Sequence, residues 1–176
     1  MAAASKLVVS LVVGQRSYEQ PLALVRATKD RLRQGHMPAI FPDAYARYES
    51  ARLAVFGRRY PPQGQSRRPV IRWRQGLAYG QVKKCYKGNR GERVEGHVVH
   101  GKARLAHGLS LLGYKQMNTR VVERHNGTSR LRNQRTVRKT LAFSKANRYH
   151  RWMRWLSGGL YNFCRPHSSL KSRHET

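Results

Sequence analysis

The sequence is poor in acidic residues, in cysteine and in long apolar runs. Aspartate and glutamate number 8 among 176 residues, against 36 lysines and arginines, and the formal net charge is +28. No apolar run reaches the roughly 18 residues that a membrane-spanning helix needs. The two cysteines, Cys85 and Cys164, form neither a disulfide framework nor a metal-ligand spacing. We therefore expect reduced thiols in a cytoplasmic protein, associated with the nucleoid if its source is bacterial.

The excess of positive charge predicts a polyanionic partner, because a free globular domain with this imbalance repels itself. Nucleic acid is the leading candidate, since lysine and arginine neutralise its phosphates and release counterions. Charge alone does not distinguish a DNA enzyme from a ribosomal-type RNA-binding protein. The composition thus indicates the class of partner and leaves the activity open.

The region up to Gly57 alternates between strand and helix patterns. A β-branched run at 6–13 predicts a strand, and a short apolar run at 37–41 predicts a buried strand. Each is followed by apolar residues at helical spacing. These sets are Tyr18, Leu22, Val25 and Leu32, then Ala44, Tyr48, Ala51 and Val55. The alternation is typical of an α/β fold.

A basic region follows at 70–100, with strand-like segments at 70–74, 77–86 and 93–100. We interpret it as an inserted β-hairpin rather than a second domain. Its basic residues are candidate DNA contacts. They are Arg72, Arg74, Lys83, Lys84 and Lys87. Trp73 and Tyr86 lie among them and could stack on nucleobases, although Trp73 fits core packing equally well.

The last third of the chain predicts two helices. Residues 119–138 are Arg-rich and compatible with a helix whose exposed face is basic. Ser144 is then a candidate N-cap for a second helix with an apolar stripe, which we expect to pack in the core. That stripe is Tyr149, Trp152, Met153, Leu156, Leu160 and Phe163.

Two of the scarce acids have positions that suggest chemistry. Asp43 directly follows the strand predicted at 37–41, at the sheet edge where open α/β folds place their sites, and its carboxylate suits Mg²⁺ or Mn²⁺. Alternatively, Asp43 caps the helix that follows. On a helix, Glu123 shares one face with Asn126, Gly127 and Arg130. The alternative is a solvated, charged helix.

Several segments resemble insertion-sequence DDE transposases, in the family's order along nearly the whole chain. The most specific is VERHNGT at 122–128, which is similar to the segment with the third catalytic acid, followed by RKTLAFSK at 138–145. LYNFCRPHSSL at 160–170 resembles the closing helix and tail. FPDAY at 41–45 is similar to the second-acid segment, and SKLVVS at 5–10 to the strand after the first acid.

The resemblance implies a ribonuclease-H-like mixed sheet with flanking helices, a basic hairpin insertion at 70–100 and a carboxy-terminal helix. It implies one partial catalytic domain over 1–170 with a tail at 171–176. Asp43 and Glu123 would be catalytic acids that bind two Mg²⁺ or Mn²⁺ ions. The partner would be DNA at transposon ends and target, with a homodimer or a full-length transposase as possible protein partners. Further DNA contacts would be Arg124, Asn126, Arg130, Arg132, Arg135, Arg138 and Lys139.

The first acid of the family pattern is missing. It would fall at about Ala2, where no acid stands, and the strand that bears it is not in the chain. We therefore expect an amino-terminally truncated transposase with an incomplete sheet and impaired catalysis. A non-catalytic, nonspecific DNA-binding remnant is the main alternative, and a ribosomal-type RNA-binding protein is less favoured.

Overall fold

The chain forms two compact units in the computed structural model, which describes residues 1–15, 17–62, 68–88, 90–137, 139–164, 166–167 and 170. The central unit is Ser17–Thr119. The terminal unit joins Met1–Arg16 to Arg120–Thr176. The tail predicted at 171–176 and the candidate contact Arg138 lie outside the described residues.

The described residues of the central unit form three helices and five strands. The helices are α1 (Glu19–Lys29), α2 (Ala46–Phe56) and α3 (Lys102–Leu111), and the strands are β1 (Ala39–Ile40), β2 (Gly57–Tyr60), β3 (Val70–Trp73), β4 (Ala78–Lys87) and β5 (Arg90–His100). A three-stranded sheet has the order β1-β4-β5, with β1 parallel and β5 antiparallel to β4. β2 and β3 form a separate antiparallel ribbon. The prediction of an α/β fold with a mixed sheet and flanking helices is confirmed.

Alternation along the strands places apolar side chains on both faces of the sheet. Ile40 of β1 joins a core cluster built from Val25 of α1, Ala51 and Phe56 of α2, and Leu77. The neighbours of Ile40 in β1 and just after it point the other way, into a second cluster. That cluster contains Ala39, Phe41, Ala78, Val82, Leu105, Leu109, Val98 and Met117. Helices α1 and α2 therefore cover one face, and α3 covers the other.

Two glycines let Met117 lie close against the sheet. Gly80 of β4 and Gly96 of β5 both face the Met117 side chain, and a Cβ on either glycine would meet its thioether within 3.0 Å. The missing Cβ atoms leave the space that this side chain occupies. Met117 is 5% exposed as a result.

Strand β4 is the middle strand of the sheet as well as half of a basic hairpin. Its first residues are buried, among them Ala78, Tyr79 and Val82, whereas Lys83, Lys84 and Lys87 in its second half are exposed. The strands predicted at 70–74, 77–86 and 93–100 match β3, β4 and β5 closely. The interpretation of 70–100 as an insertion stays a prediction, and the structure adds that this segment provides core residues.

Two elements of the central unit were not predicted. Strand β2 has arginine at two of its four positions, and its pairing with β3 gives it order that its composition does not indicate. The sequence of helix α3 has only a weak apolar stripe, and Leu105 is its single fully buried residue. It begins after Gly101, whose φ of +70° and close approach to the backbone of Leu77 and Ala78 favour glycine.

The terminal unit is helical. It contains α4 (Arg120–Arg132), a 3₁₀ turn (Gln134–Thr136) and α5 (Asn147–Gly159), which continues into a π-helical turn (Leu160–Cys164). Both helices predicted for this region are confirmed. Ser144 as the N-cap is wrong: α5 has Ala146 at that position, and the Ser144 hydroxyl accepts a hydrogen bond from Arg135. None of the described helices is long and apolar enough to cross a membrane.

The strand predicted at 6–13 is wrong. These residues are described and form no strand. Both backbone groups of Val8 are instead hydrogen-bonded to the side-chain amide of Asn162, which accepts from the Val8 N–H at 2.9 Å and donates to its carbonyl at 3.1 Å. β-Branched residues favour a strand only where another strand offers a ladder of donors and acceptors. The Asn162 side chain pairs with the backbone of one residue, so it cannot replace the series of hydrogen bonds that a neighbouring strand would offer.

The core position predicted for the apolar stripe of α5 is also wrong. Trp152 is 61% exposed and Phe163 is 86% exposed, and Leu156 and Leu160 are about half exposed. The helical spacing is real, but spacing indicates only which residues share a face. Whether that face is buried depends on an apolar partner surface, and the buried side chains described in this unit are polar, namely His125, Ser129 and Asn133.

Candidate functional site

Asp43 lies where the parallel pair of strands ends. The Pro42 carbonyl accepts a hydrogen bond from the Val82 N–H at 2.8 Å, and Asp43 forms an isolated parallel bridge with Val82. The chain therefore continues alongside β4 beyond β1 and presents Asp43, which is exposed, at the carboxyl end of this pair. The alternative role as a helix cap is not what the structure has. Helix α2 begins at Ala46 after Tyr45, and no side chain caps it.

A buried arginine lies in the electrostatic surroundings of Asp43. Arg52 of α2 is 5% exposed, and its guanidinium lies between the Tyr48 and Tyr79 rings, 4.9 Å from each centroid. Burial lowers the pKa of Arg52, while the two tyrosines and then Asp43 raise it. Among the described residues, Nε and Nη1 of Arg52 have no hydrogen-bond acceptor. A carboxylate at Asp43 thus stabilises a cation that burial penalises.

The spacing of residues in α2 indicates that Arg52 is buried. Tyr48 and Arg52 are four residues apart, so they share a helix face, and the stripe Ala44, Tyr48, Ala51 and Val55 had already marked that face as buried. An arginine on such a face needs a partner, because burying an unpaired charge is costly. The partners here are aromatic rings. The Tyr79 hydroxyl is held in turn by the Gln81 side chain, whose amide donates to it at 2.8 Å and to Glu49 at 3.3 Å.

Glu123 lies in the first turn of α4, where a carboxylate favours the helix dipole. Glu123 is exposed. On the same face, Asn126 and Gly127 are half-buried and Arg130 is exposed. Glu123 belongs to the terminal unit and Asp43 to the central unit. Across the described part of the chain, no group of three or more His, Cys, Asp or Glu side chains has the arrangement of a metal site. Binding of Mg²⁺ or Mn²⁺ by Asp43 and Glu123 stays a prediction.

The other face of α4 holds the terminal unit together. His125 and Ser129 are buried. The His125 and Tyr161 rings are in edge-to-face contact, with 4.5 Å between their centroids, and the Ser129 hydroxyl accepts a hydrogen bond from the Arg154 guanidinium. Burial lowers the pKa of His125, and the charges of Arg154 and of the chain amino terminus lower it further, whereas Asn126 raises it. Burial and Arg130 likewise lower the pKa of Arg154.

The candidate DNA contacts of the central unit are exposed. Lys83, Lys84 and Lys87 lie along the outer half of β4, together with Tyr86, which is 63% exposed. Trp73 has the packing role that its sequence position allowed. Its ring stacks on His100, lies tilted against Tyr79, and packs against the core cluster on the α1–α2 face. Arg72 and Arg74 on either side of it are exposed.

The candidate contacts of the terminal unit form a basic series on α4 and the turn that follows. Arg124, Arg130, Arg132, Arg135 and Lys139 are exposed, and Asn126 is half-buried. Lys139 has a φ of +54°, in the left-handed region. The prediction of a basic, solvent-facing helix surface here agrees with these positions.

No protein-family model, curated protein or solved structure matches this chain.

Proposed function

We propose that this chain binds DNA through its phosphates, and that it derives from the catalytic domain of an insertion-sequence transposase. The observation that carries the proposal is the charge: 8 carboxylates cannot neutralise 36 cationic side chains, and a net charge of +28 remains. Many of these cations are exposed on β4 and α4. A polyanion with closely spaced phosphates releases counterions on binding such surfaces, which makes the association favourable at low salt.

DNA is chosen over RNA because of the resemblance at 122–128 and 138–145. Of the residues in these segments, Glu123 and Arg124 lie exposed on α4. The composition by itself suits RNA equally well, so the choice of DNA rests on this resemblance. A homodimer or a full-length transposase would be the protein partner under this proposal.

The test is titration of the full chain against a fluorescent 30-base-pair DNA duplex, with anisotropy read at several NaCl concentrations. We expect the affinity to fall steeply as salt rises, with a log–log slope of several units, since each neutralised phosphate contributes about 0.9. Duplex RNA of the same length is the comparison. Binding that does not weaken with salt contradicts the proposal, and a preference for RNA of tenfold or more favours the ribosomal-type alternative.

Phosphodiester cleavage is the second candidate, and the position of Asp43 at the carboxyl end of β1, beside β4, favours it. By the resemblance, Asp43 and Glu123 correspond to two of the family's three acids, and this sequence of 176 residues contains no counterpart of the other. We expect nicking of supercoiled plasmid in Mn²⁺ to stay at background, because a two-ion site needs its full set of carboxylates. Nicking that Asp43→Asn and Glu123→Gln each abolish would instead establish an active enzyme.

A further inference from the structure

The β2–β3 ribbon concentrates positive charge on one face. Its register pairs Gly57 with Trp73, Arg58 with Arg72, and Tyr60 with Val70. Paired residues in an antiparallel ribbon point to the same side, and sides alternate along each strand. Trp73 packs against the core cluster. The opposite, outward face therefore presents Arg58, Tyr60, Val70 and Arg72.

The two arginines of this face are directly opposite each other. Like charges in that position destabilise a strand pair. Both guanidinium groups lie over the same ring, at 5.8 Å from the Tyr60 centroid, and both residues are exposed. Each cation–π contact is weak at an exposed site. The ring thus fixes where the two charges lie and offsets part of their repulsion.

We propose that Arg58 and Arg72, held in place by Tyr60, form a phosphate clamp for the backbone of a DNA duplex. This inference rests on the proposed DNA-binding function and assigns part of it to a specific site. A guanidinium offers two parallel N–H donors to phosphate oxygens, and the ring restricts the motion of both side chains before binding. A phosphate that enters here also relieves the repulsion between the two arginines. Tyr60 is a positioning residue and makes no phosphate contact in this arrangement.

The experiment compares two double variants of the full chain that lose the same charge. Arg58→Ala/Arg72→Ala removes the clamp. Arg26→Ala/Arg33→Ala is the control, because both residues are exposed in the same unit and lie outside the ribbon. Duplex binding is measured by anisotropy against NaCl, and circular dichroism with thermal melting verifies that both variants fold. We expect the clamp variant to lose about two phosphate contacts, which lowers the salt slope by roughly 1.8. The control should change the slope by less than half as much.

Equal slopes for the two double variants overturn the clamp while leaving DNA binding intact. Absence of salt-dependent binding by the unaltered chain contradicts the proposed function itself, so the two failures are distinguishable. Single variants at Tyr60 test the positioning role. Tyr60→Phe should bind as the unaltered chain does, because the ring remains, and Tyr60→Leu should bind several-fold more weakly with an unchanged salt slope. Equal binding by Tyr60→Phe and Tyr60→Leu removes Tyr60 from the clamp.

Discussion

The two units of this chain bury different kinds of side chain. In the central unit, apolar residues of α1, α2, α3 and the sheet fill a core on both sheet faces, with Leu77, Tyr79, Val82 and Leu105 among the most buried. In the terminal unit, the side chains described as buried are His125, Ser129 and Asn133. The aromatic stripe of α5 faces solvent. Helical periodicity is present in both units, so periodicity alone does not produce a core.

The free energies that apolar burial and hydrogen bonds contribute indicate which unit is more stable. Full burial of a leucine or phenylalanine contributes about 1.5–3 kcal/mol, whereas an intramolecular hydrogen bond contributes a net of about 0.5–1.5 kcal/mol. The terminal unit relies on the second kind, as in the Thr136 hydroxyl, which donates to the carbonyls of Ser129 and Asn133 at 3.1 and 2.8 Å. We therefore expect the central unit to be the more stable of the two.

The largest expected effect is on the core of the central unit. Leu105→Ala should lower the free energy of unfolding by about 2–5 kcal/mol, because a fully buried leucine leaves a cavity. Leu131→Ala, at a leucine that is 89% exposed in α4, is the matched substitution and should change it by less than about 0.5 kcal/mol. Urea unfolding followed by far-ultraviolet circular dichroism measures both changes, because helices lie in both units. Similar costs at the two leucines would remove the contrast between the units.

Replacing a glycine by alanine should change the free energy of unfolding in opposite directions in the two units. Gly80→Ala places a Cβ against Met117 and should destabilise by about 1–3 kcal/mol through overpacking. Gly127→Ala lies within α4 with nothing within 4 Å, and should stabilise by about 0.5–1 kcal/mol through helix propensity. Thermal denaturation measures both. A Gly80→Ala cost that Met117→Ala does not relieve argues against this packing.

The tether of the amino-terminal segment should be weaker than the core. Asn162→Ala removes both hydrogen bonds to Val8 and should cost about 1–2 kcal/mol locally. Amide hydrogen exchange at Val8 reads the effect directly and should accelerate. Asn162→Asp keeps the acceptor for the Val8 N–H and loses the donor, so protection of this amide should be retained in part. Unchanged exchange in Asn162→Ala means that other contacts hold the segment.

The smallest effect is the pH dependence of the terminal unit. Because the pKa of His125 is lowered in the folded chain, the unfolded chain binds more protons between that pKa and the ordinary value of about 6.5. Stability is therefore fully present above about pH 6.5 and falls as pH drops toward the folded pKa, with a slope of at most about 1.4 kcal/mol per pH unit. Exchange of α4 amides at pH 7 and pH 5, corrected for intrinsic rates, measures it. His125→Gln should remove this contribution, and a slope that survives belongs to another group of the unit, such as the amino terminus of Met1, whose pKa burial also lowers.

Local signals predicted elements better than they predicted burial. Apolar spacing located α1, α2 and α5, and strand-like segments separated by turn residues located β3, β4 and β5. Helix α3 and strand β2 were missed because their order depends on Leu105 packing under the sheet and on the β3 ladder. The strand at 6–13 failed for the complementary reason: its composition suits a sheet, but Val8 pairs with a side chain.

The candidate site divides in the same way. The sequence predicted the position of Asp43 directly after β1 and a basic α4, since both follow from local order and composition. It did not predict Arg52 between Tyr48 and Tyr79, or the approach of Arg58 and Arg72 over one tyrosine ring. Both depend on which residues two separate segments bring together.

The sequence by itself determined the charge, the kind of partner that this charge favours, and most helices and strands, because these depend on composition and on spacing along a few turns. Only the tertiary structure decided which apolar faces are buried, that β4 is the middle strand of the sheet, and that Arg58 and Arg72 are paired across the β2–β3 ribbon. These depend on pairs of segments far apart in the chain, and free energy is gained only when both surfaces of such a pair are present.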